Sequence, residues 1–217
     1  MSTYIDLHSH HQIDSREVES VYNVMLNEDC IVPAGYFSAG LHPWFANQIT
    51  KVVVKERLKP LIGIPKMVAI GEIGLDKACK IPLNLQKDMF EIQLQLAVAN
   101  RKPVIIHCVK AWDDLIEISV NFKTTKIIHG FNGSPELTER LLKENFSFSV
   151  GEAILNPASK IEHSIKIIPP SSLYFETDDS NIPIQFIYEK AGNKMNRESD
   201  NLKDLIFENF VNLRNLP

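Results

Sequence analysis

The chain has 217 residues, 44% of them apolar and 23% charged, a globular composition that excludes a disordered polypeptide and suffices for one domain with a sizeable core. Its 23 basic and 27 acidic side chains leave a net charge of −4, which excludes a broadly basic nucleic-acid coat but not a site whose positive charge comes from metal ions. The three cysteines, Cys30, Cys79 and Cys108, are widely spaced and match neither a disulfide framework nor a zinc ribbon, and the chain shows no signal peptide and no apolar run of the ~18–20 residues that span a bilayer, so a cytoplasmic protein with reduced thiols is expected.

Eight short apolar, β-branched runs are predicted as strands, at 4–10, 18–26, 36–42, 68–75, 104–108, 126–130, 146–151 and 173–177. Helical patterns fall between the later ones. Leu85, Met89, Ile92, Leu96 and Ala99 form one stripe of a helix. Ser134 is placed to cap a second helix with Pro135 at its first position, and Leu137, Leu141 and Leu142 form its inner face. Weaker helical patterns cover 47–61, 111–120, 158–167 and 184–191. Leu202, Leu205, Ile206, Phe210 and Leu213 mark a terminal helix that packs on the rest.

Strands alternating with helices argue for a parallel sheet, and eight of them for an α/β fold of the TIM (β/α)₈-barrel type, one domain over 1–217. Only 11–17 and 27–35 separate the first three strands, too little for a helical crossover, which usually takes a dozen residues or more. The first two helices are therefore expected to be missing or reduced, which also shortens the chain below the ~250 residues typical of the barrel. An antiparallel pairing near the second strand stays open at this point.

Ionisable residues gather where the strands end. His8 and His10 close the first strand, Glu72 lies near the end of the fourth, His107 and His129 close the fifth and sixth, and Asp178 follows the eighth. In a parallel barrel all six reach the C-terminal face, where active sites sit. Residues i and i+2 of a strand share a face, so His8 and His10 can hold one ion. Imidazole with carboxylate suits Zn²⁺, Mn²⁺ or Fe²⁺. Four histidines and two carboxylates exceed what one tetrahedral zinc needs and suit two ions sharing a carboxylate, a site that grips both the attacking and the leaving oxygen and lowers the pKa of a bound water. Each residue alone has a plain structural alternative: a packed histidine for His107 or His129, a turn cap for Asp178. Cys108 neighbours His107 and so points to the opposite face, as a buried thiol. His11 and His163 are expected at the surface. Trp44 and Phe45 can stack a base or pack at a rim.

The ordered motifs Asp6-Leu7-His8-Ser9-His10, Gly40-Leu41-His42-Pro43, Gly71-Glu72-Ile73-Gly74-Leu75-Asp76, Pro103-Val104-Ile105-Ile106-His107, His129-Gly130-Phe131-Asn132-Gly133-Ser134 and Glu176-Thr177-Asp178 resemble those of TatD-type metal-dependent hydrolases, trimmed amidohydrolase-like barrels that include many deoxyribonucleases. The resemblance implies two divalent ions, Mg²⁺, Mn²⁺ or Zn²⁺. It implies His8, His10 and Asp178 as ligands of the first ion, Glu72 as the bridging carboxylate, and His107 and His129 as ligands of the second. Asp178 is also implied as general base and His42 as a contact to the substrate phosphate. Asp76 is implied to orient the ligands, and Trp44, from its own stacking chemistry, is a candidate substrate contact. The implied activity is phosphodiester hydrolysis on DNA or a nucleotide-like substrate, with no membrane and no obligate protein partner. The chain departs from the family in carrying Asp179-Ser180 where Ala-Pro is usual, and in passing through Asn181-Ile182-Pro183 straight toward a helix without a basic Gly- and Asn-containing loop that helps hold a polyanion. Two other functions remain open at this point: amide, ester or phosphomonoester hydrolysis of a small molecule, and a non-catalytic metal-binding scaffold.

Overall fold

The structure, a computed structural model, describes residues 2–28 and 31–215, so Cys30 lies outside the described residues. All eight predicted strands are present: β1 (Tyr4–Ser9), β2 (Val18–Met25), β3 (Tyr36–Gly40), β4 (Met67–Asp76), β5 (Val104–Val109), β6 (Lys126–Ile128), β7 (Phe146–Val150) and β8 (Leu173–Phe175). They form one sheet in chain order. The registers of β1 with β2, β3 with β4, β4 with β5, and β7 with β8 are all parallel. The antiparallel option at the first pair is thereby removed, since Tyr4 lies opposite Val18 and Asp6 opposite Ser20 in parallel register. A parallel bridge between Ser9 and Asp178 links the end of β1 to the segment after β8. The fold is the expected trimmed (β/α)₈ type. No helix occurs among the described residues between β1 and β2 or between β2 and β3.

The helices are α1 (Lys51–Ile62), α2 (Leu83–Ala99), α3 (Trp112–Ser119), α4 (Pro135–Lys143), α5 (Ile161–Ser164), α6 (Ile184–Met195) and α7 (Ser199–Arg214). α1 starts four residues later than its periodicity suggests because Thr50 takes the cap, its hydroxyl accepting from the Val53 N–H. Ser134 caps α4 as expected, accepting from the Leu137 N–H. The predicted helix over 158–167 contracts to the single turn of α5. Tertiary bonds decide its position: Asn132 Oδ1 accepts from the Ile161 N–H, and Ser164 Oγ donates to the Gly133 carbonyl. α6 runs past Ala191 to Met195 and ends at Asn196 in the left-handed conformation, φ 54°.

The described chain groups into two compact units. One comprises 2–22 and 128–215. Its core holds Phe131 against Phe148 and Phe175 against Tyr188, with ring centroids 4.4 and 4.6 Å apart. The buried Tyr188 hydroxyl accepts from the Ile5 N–H at 3.1 Å and donates to the Ile5 carbonyl at 3.0 Å, pinning α6 to β1. The other unit comprises 23–127. Its centre is β4, buried along its whole length between β3 and β5 and covered by α2. Such continuous burial is what a parallel strand with helices packed over its face requires. At Gly74, φ 147°, a Cβ would lie 2.0 Å from the His107 carbonyl oxygen, so only glycine lets β4 and β5 come this close beside His107.

Candidate metal centre

Each unit carries a group of side chains suited to metal. In the first, His8 and His10 lie at the end of β1, His129 follows β6, and Asp178 follows β8. His10 sits just beyond the strand, yet the ring pair expected from the i, i+2 spacing is kept: His8 and His10 pack edge-on at 5.2 Å between centroids. Both Nε2 atoms face Asp178 Oδ1, at 3.6 Å from His8 and 3.4 Å from His10. The His129 ring lies 4.7 Å from that of His8. Ligand atoms of His8, His129 and Asp178 all fall within 4.8 Å of one another.

The backbone fixes this group. The Asp178 N–H donates to the His8 carbonyl at 2.9 Å, and the His10 N–H to the Asp178 carbonyl at 3.0 Å. Asp178 adopts φ 54°, a conformation that costs a non-glycine residue about 1–3 kcal/mol and persists only where its surroundings hold it. Asp6 supplies part of the hold. Fully buried two residues before His8 on β1, it accepts from the Thr177 N–H through Oδ1 at 2.9 Å and from the Thr177 hydroxyl through Oδ2 at 2.6 Å. Burial pushes the Asp6 carboxyl up to about 7, against the hydrogen bonds from Thr177, which pull it down.

Two carboxylates that sequence reasoning left without a role thus emerge here, Asp6 and Glu176. The signal for Glu176 was its place beside Thr177-Asp178, but only the fold shows what it touches. Its Oε1 accepts from the Gly130 N–H and stands 3.2 Å from His129 Nδ1. A carboxylate at Nδ1 accepts a hydrogen bond from the ring N–H, holds the proton on Nδ1 and leaves Nε2 bare as a metal donor, the carboxylate–histidine arrangement common around bound metals.

The second unit groups His42, Glu72 and His107, whose ligand atoms also converge within 4.8 Å. Glu72 Oε1 lies 2.8 Å from His107 Nδ1 and 3.2 Å from His42 Nε2. Its own N–H is held by Asn23 Oδ1 at 2.9 Å. Asp76 Oδ2 stands 3.5 Å from His107 Nε2 and accepts from the Trp44 indole at 2.6 Å, while Oδ1 accepts from the Ala78 N–H. Burial alone would raise the Asp76 carboxyl, but the bonds from Trp44 and Ala78 and the nearby His107 hold it below the usual carboxylate range. Asp76 thus fixes the His107 ring from one edge while Glu72 faces the other.

His42, expected at the substrate, stands against Glu72 and His107. Its Nδ1 accepts from the Trp44 N–H at 3.2 Å, so a neutral ring carries its proton on Nε2 and donates to Glu72. That assignment makes His42 a hydrogen-bond donor beside the carboxylate. Trp44 is 52% exposed, yet its indole is fixed by Asp76 and by the edge-on His42 ring at 4.8 Å. Cys108 is half-buried, and burial pushes its thiol up to about 12, which leaves it unreactive near neutrality. His11 and His163 are exposed, as expected.

The donor sets fit divalent ions. Imidazole and carboxylate oxygen are ligands for Zn²⁺, Mn²⁺ and Fe²⁺, and the carboxylates at His107 and His129 orient the rings that would bind. No helix among the described residues is long and apolar enough to cross a membrane.

The family profile described as TatD related DNase matches residues 9–211. The human 3'-5' RNA nuclease TATDN2 is 38% identical over 168 residues, which are 74% of this chain but only 21% of that protein. The metal-dependent hydrolase YjjV of Escherichia coli K12 is 32% identical over 180 residues, covering 79% of this chain and 68% of YjjV. The crystal structure of YjjV superposes with a TM-score of 0.80, covering 99% of this chain and 98% of that one at 24% identity. The chain belongs to the TatD-related family of metal-dependent hydrolases.

Proposed function

We propose that this protein hydrolyses phosphodiester bonds in nucleic acid or a nucleotide-like substrate, using two divalent ions held by His8, His10, Glu72, His107, His129 and Asp178. The observation that carries the reading is the convergence of His8, His129 and Asp178 with Glu176 behind His129. The companion group around Glu72 adds a second set of donors. On the family resemblance Glu72 acts as a bridging carboxylate, and the nuclease named among the relatives supports nucleic acid as substrate.

Two bound ions supply neutralising charge for the attacking and leaving oxygens and lower the pKa of a water. The chain's own residues do the rest. Asp178, held in its left-handed turn by Asp6 and Thr177, takes the proton from the attacking water, a role that contributes about 10²–10⁴-fold. His42 donates a hydrogen bond from Nε2 toward the acidic oxygens at its side. Asp76 and Glu176 keep the His107 and His129 rings in orientation. Trp44 offers an exposed, fixed indole on which a base can stack.

The test is cleavage of end-labelled single-stranded DNA and RNA in Mn²⁺, Mg²⁺ or Zn²⁺, beside an Asp178→Asn protein prepared identically. The expected result is metal-dependent shortening that falls by two decades or more in the variant. Absence of cleavage from protein shown to carry about two ions per chain would overturn the reading.

A further inference from the structure

In the second unit, the pairing of β4 with β5 continues one residue past Asp76. Asp76 lies opposite Val109 in parallel register, and the Lys77 N–H donates to the Val109 carbonyl at 3.0 Å. Lys77 and Lys110 therefore leave the ends of adjacent strands side by side, and both are exposed. The turn that follows is held from beneath. Gln86, buried on α2, accepts from the Asp76 N–H at 2.7 Å and donates to the Asp76 and Ile81 carbonyls at 2.9 and 2.8 Å. Asp76 Oδ1 accepts from the Ala78 N–H, while Oδ2 accepts from the Trp44 indole. One buried carboxylate thus fixes both the turn that carries Lys77 and Lys80 and the exposed ring of Trp44. Lys77 and Lys87 share Asp114, whereas Lys80 and Lys110 make no ion pair among the described residues. Asp113 and Asp114 open the neighbouring helix α3, so four lysines stand with two aspartates and the patch is net positive. The first unit offers a polyanion nothing comparable after β8: 176–189 holds Glu176, Asp178, Asp179 and Glu189 and no lysine or arginine.

We propose, on the phosphodiesterase reading above, that this patch is a platform for single-stranded nucleic acid: a base stacks on Trp44 while Lys77 and Lys110 hold the phosphates beside it. An aromatic ring flanked by lysines is the arrangement that grips single strands without reading their sequence. Lysine acts as a point charge on phosphate, and phosphate contacts carry no base information. The platform is set before the strand arrives. The indole is tied to Asp76 and the lysine turn to Asp76 and Gln86, so binding costs little ordering of the protein. Asp76 Oδ2 also stands 3.5 Å from His107 Nε2. The platform therefore borders the donor group of the second unit, and the nucleotide it holds flanks the bond that is cut.

The test follows binding of a short fluorescein-labelled oligothymidylate by anisotropy in Ca²⁺, over a series of salt concentrations. For single strands the logarithm of affinity falls against the logarithm of salt with a slope of about 0.7 per phosphate neutralised. A Lys77→Gln/Lys110→Gln protein should therefore bind more weakly and show a slope flatter by about 1.4. Lys77→Arg/Lys110→Arg should restore the slope. Lys59→Gln/Lys123→Gln removes the same charge from exposed positions ahead of β4 and β6, at the opposite ends of the strands, and should leave the slope unchanged. Trp44 emission, read alone in a Trp112→Phe background, should be quenched as the oligonucleotide binds, and Trp44→Ala should weaken affinity about tenfold or more. A slope that ignores the Lys77 and Lys110 substitutions, or that flattens equally in the Lys59 and Lys123 protein, would overturn the proposal. So would Trp44 emission indifferent to saturating oligonucleotide. Binding with the expected signatures but without cleavage in Mn²⁺ would keep the platform and sink the phosphodiesterase reading. Cleavage by a protein whose slope ignores both lysines would do the reverse.

Discussion

The hold of Asp6 on Thr177 can be tested by removing one hydroxyl. Thr177→Val keeps the shape of the side chain and the backbone bond to Asp6 Oδ1, but it deletes the 2.6 Å bond to Oδ2. Both residues are buried, so water does not replace the lost donor. Breaking one side of a buried pair of this kind costs about 1–3 kcal/mol. At roughly 2–4 °C per kcal/mol for a chain of this size, the thermal midpoint should fall by about 4–8 °C for a 2 kcal/mol loss. Thr177 directly precedes Asp178, whose left-handed turn depends on its neighbours, so turnover should fall as well, by about tenfold if the carboxylate shifts by a fraction of an ångström. Thr177→Ser restores the hydroxyl and should recover most of both effects. The assay is denaturation of the three proteins with metal bound, paired with rates on one phosphodiester. If valine and serine behave alike and match the native midpoint, Asp6 does not hold this turn and the reasoning fails.

Other substitutions probe separate parts of the same account. Gly74→Ala places a methyl carbon against the His107 carbonyl and should cost about 1–3 kcal/mol together with metal affinity; an unchanged denaturation midpoint would show that β4 and β5 can part freely. Asp76→Asn should loosen both Trp44 and His107, shifting Trp44 emission in a Trp112→Phe background and weakening metal binding about 10–100-fold, which isothermal titration would read. Tyr188→Phe removes two buried hydrogen bonds to Ile5 and should lower stability by about 1–3 kcal/mol with metal content unchanged, since it lies away from the donors. Chelation should lower the thermal midpoint reversibly, because ions present at about 100 times their Kd add about 2.7 kcal/mol to the native state; a midpoint indifferent to chelator would remove metal from the folded protein's stability.

Much of this protein is legible in its residues alone. Strand period and β-branched runs located all eight strands, because a parallel strand covered on both faces is mostly apolar, as β4 is apart from Glu72 and Asp76. The shortness of 11–17 and 27–35 dictated the missing helices, since chain length sets a hard limit on a crossover. The six proposed ligands were visible because the family motifs fall in order around them, although Glu72 lies mid-strand in β4 rather than near its end. Tertiary structure decided what lies beyond local reach. α5 is fixed in place by Asn132 and Gly133, distant in sequence, which bond the Ile161 N–H and the Ser164 hydroxyl. His42 was brought against Glu72 by contacts across 30 residues of chain, and its donor role follows from an N–H of Trp44. Asp6 and Glu176 are ordinary acidic residues in the sequence. Their part in the site depends on which buried partners the fold delivers, Thr177 to one and His129 to the other. Local pattern reports which face of an element is apolar; the partner of a buried polar atom is set only when the elements pack.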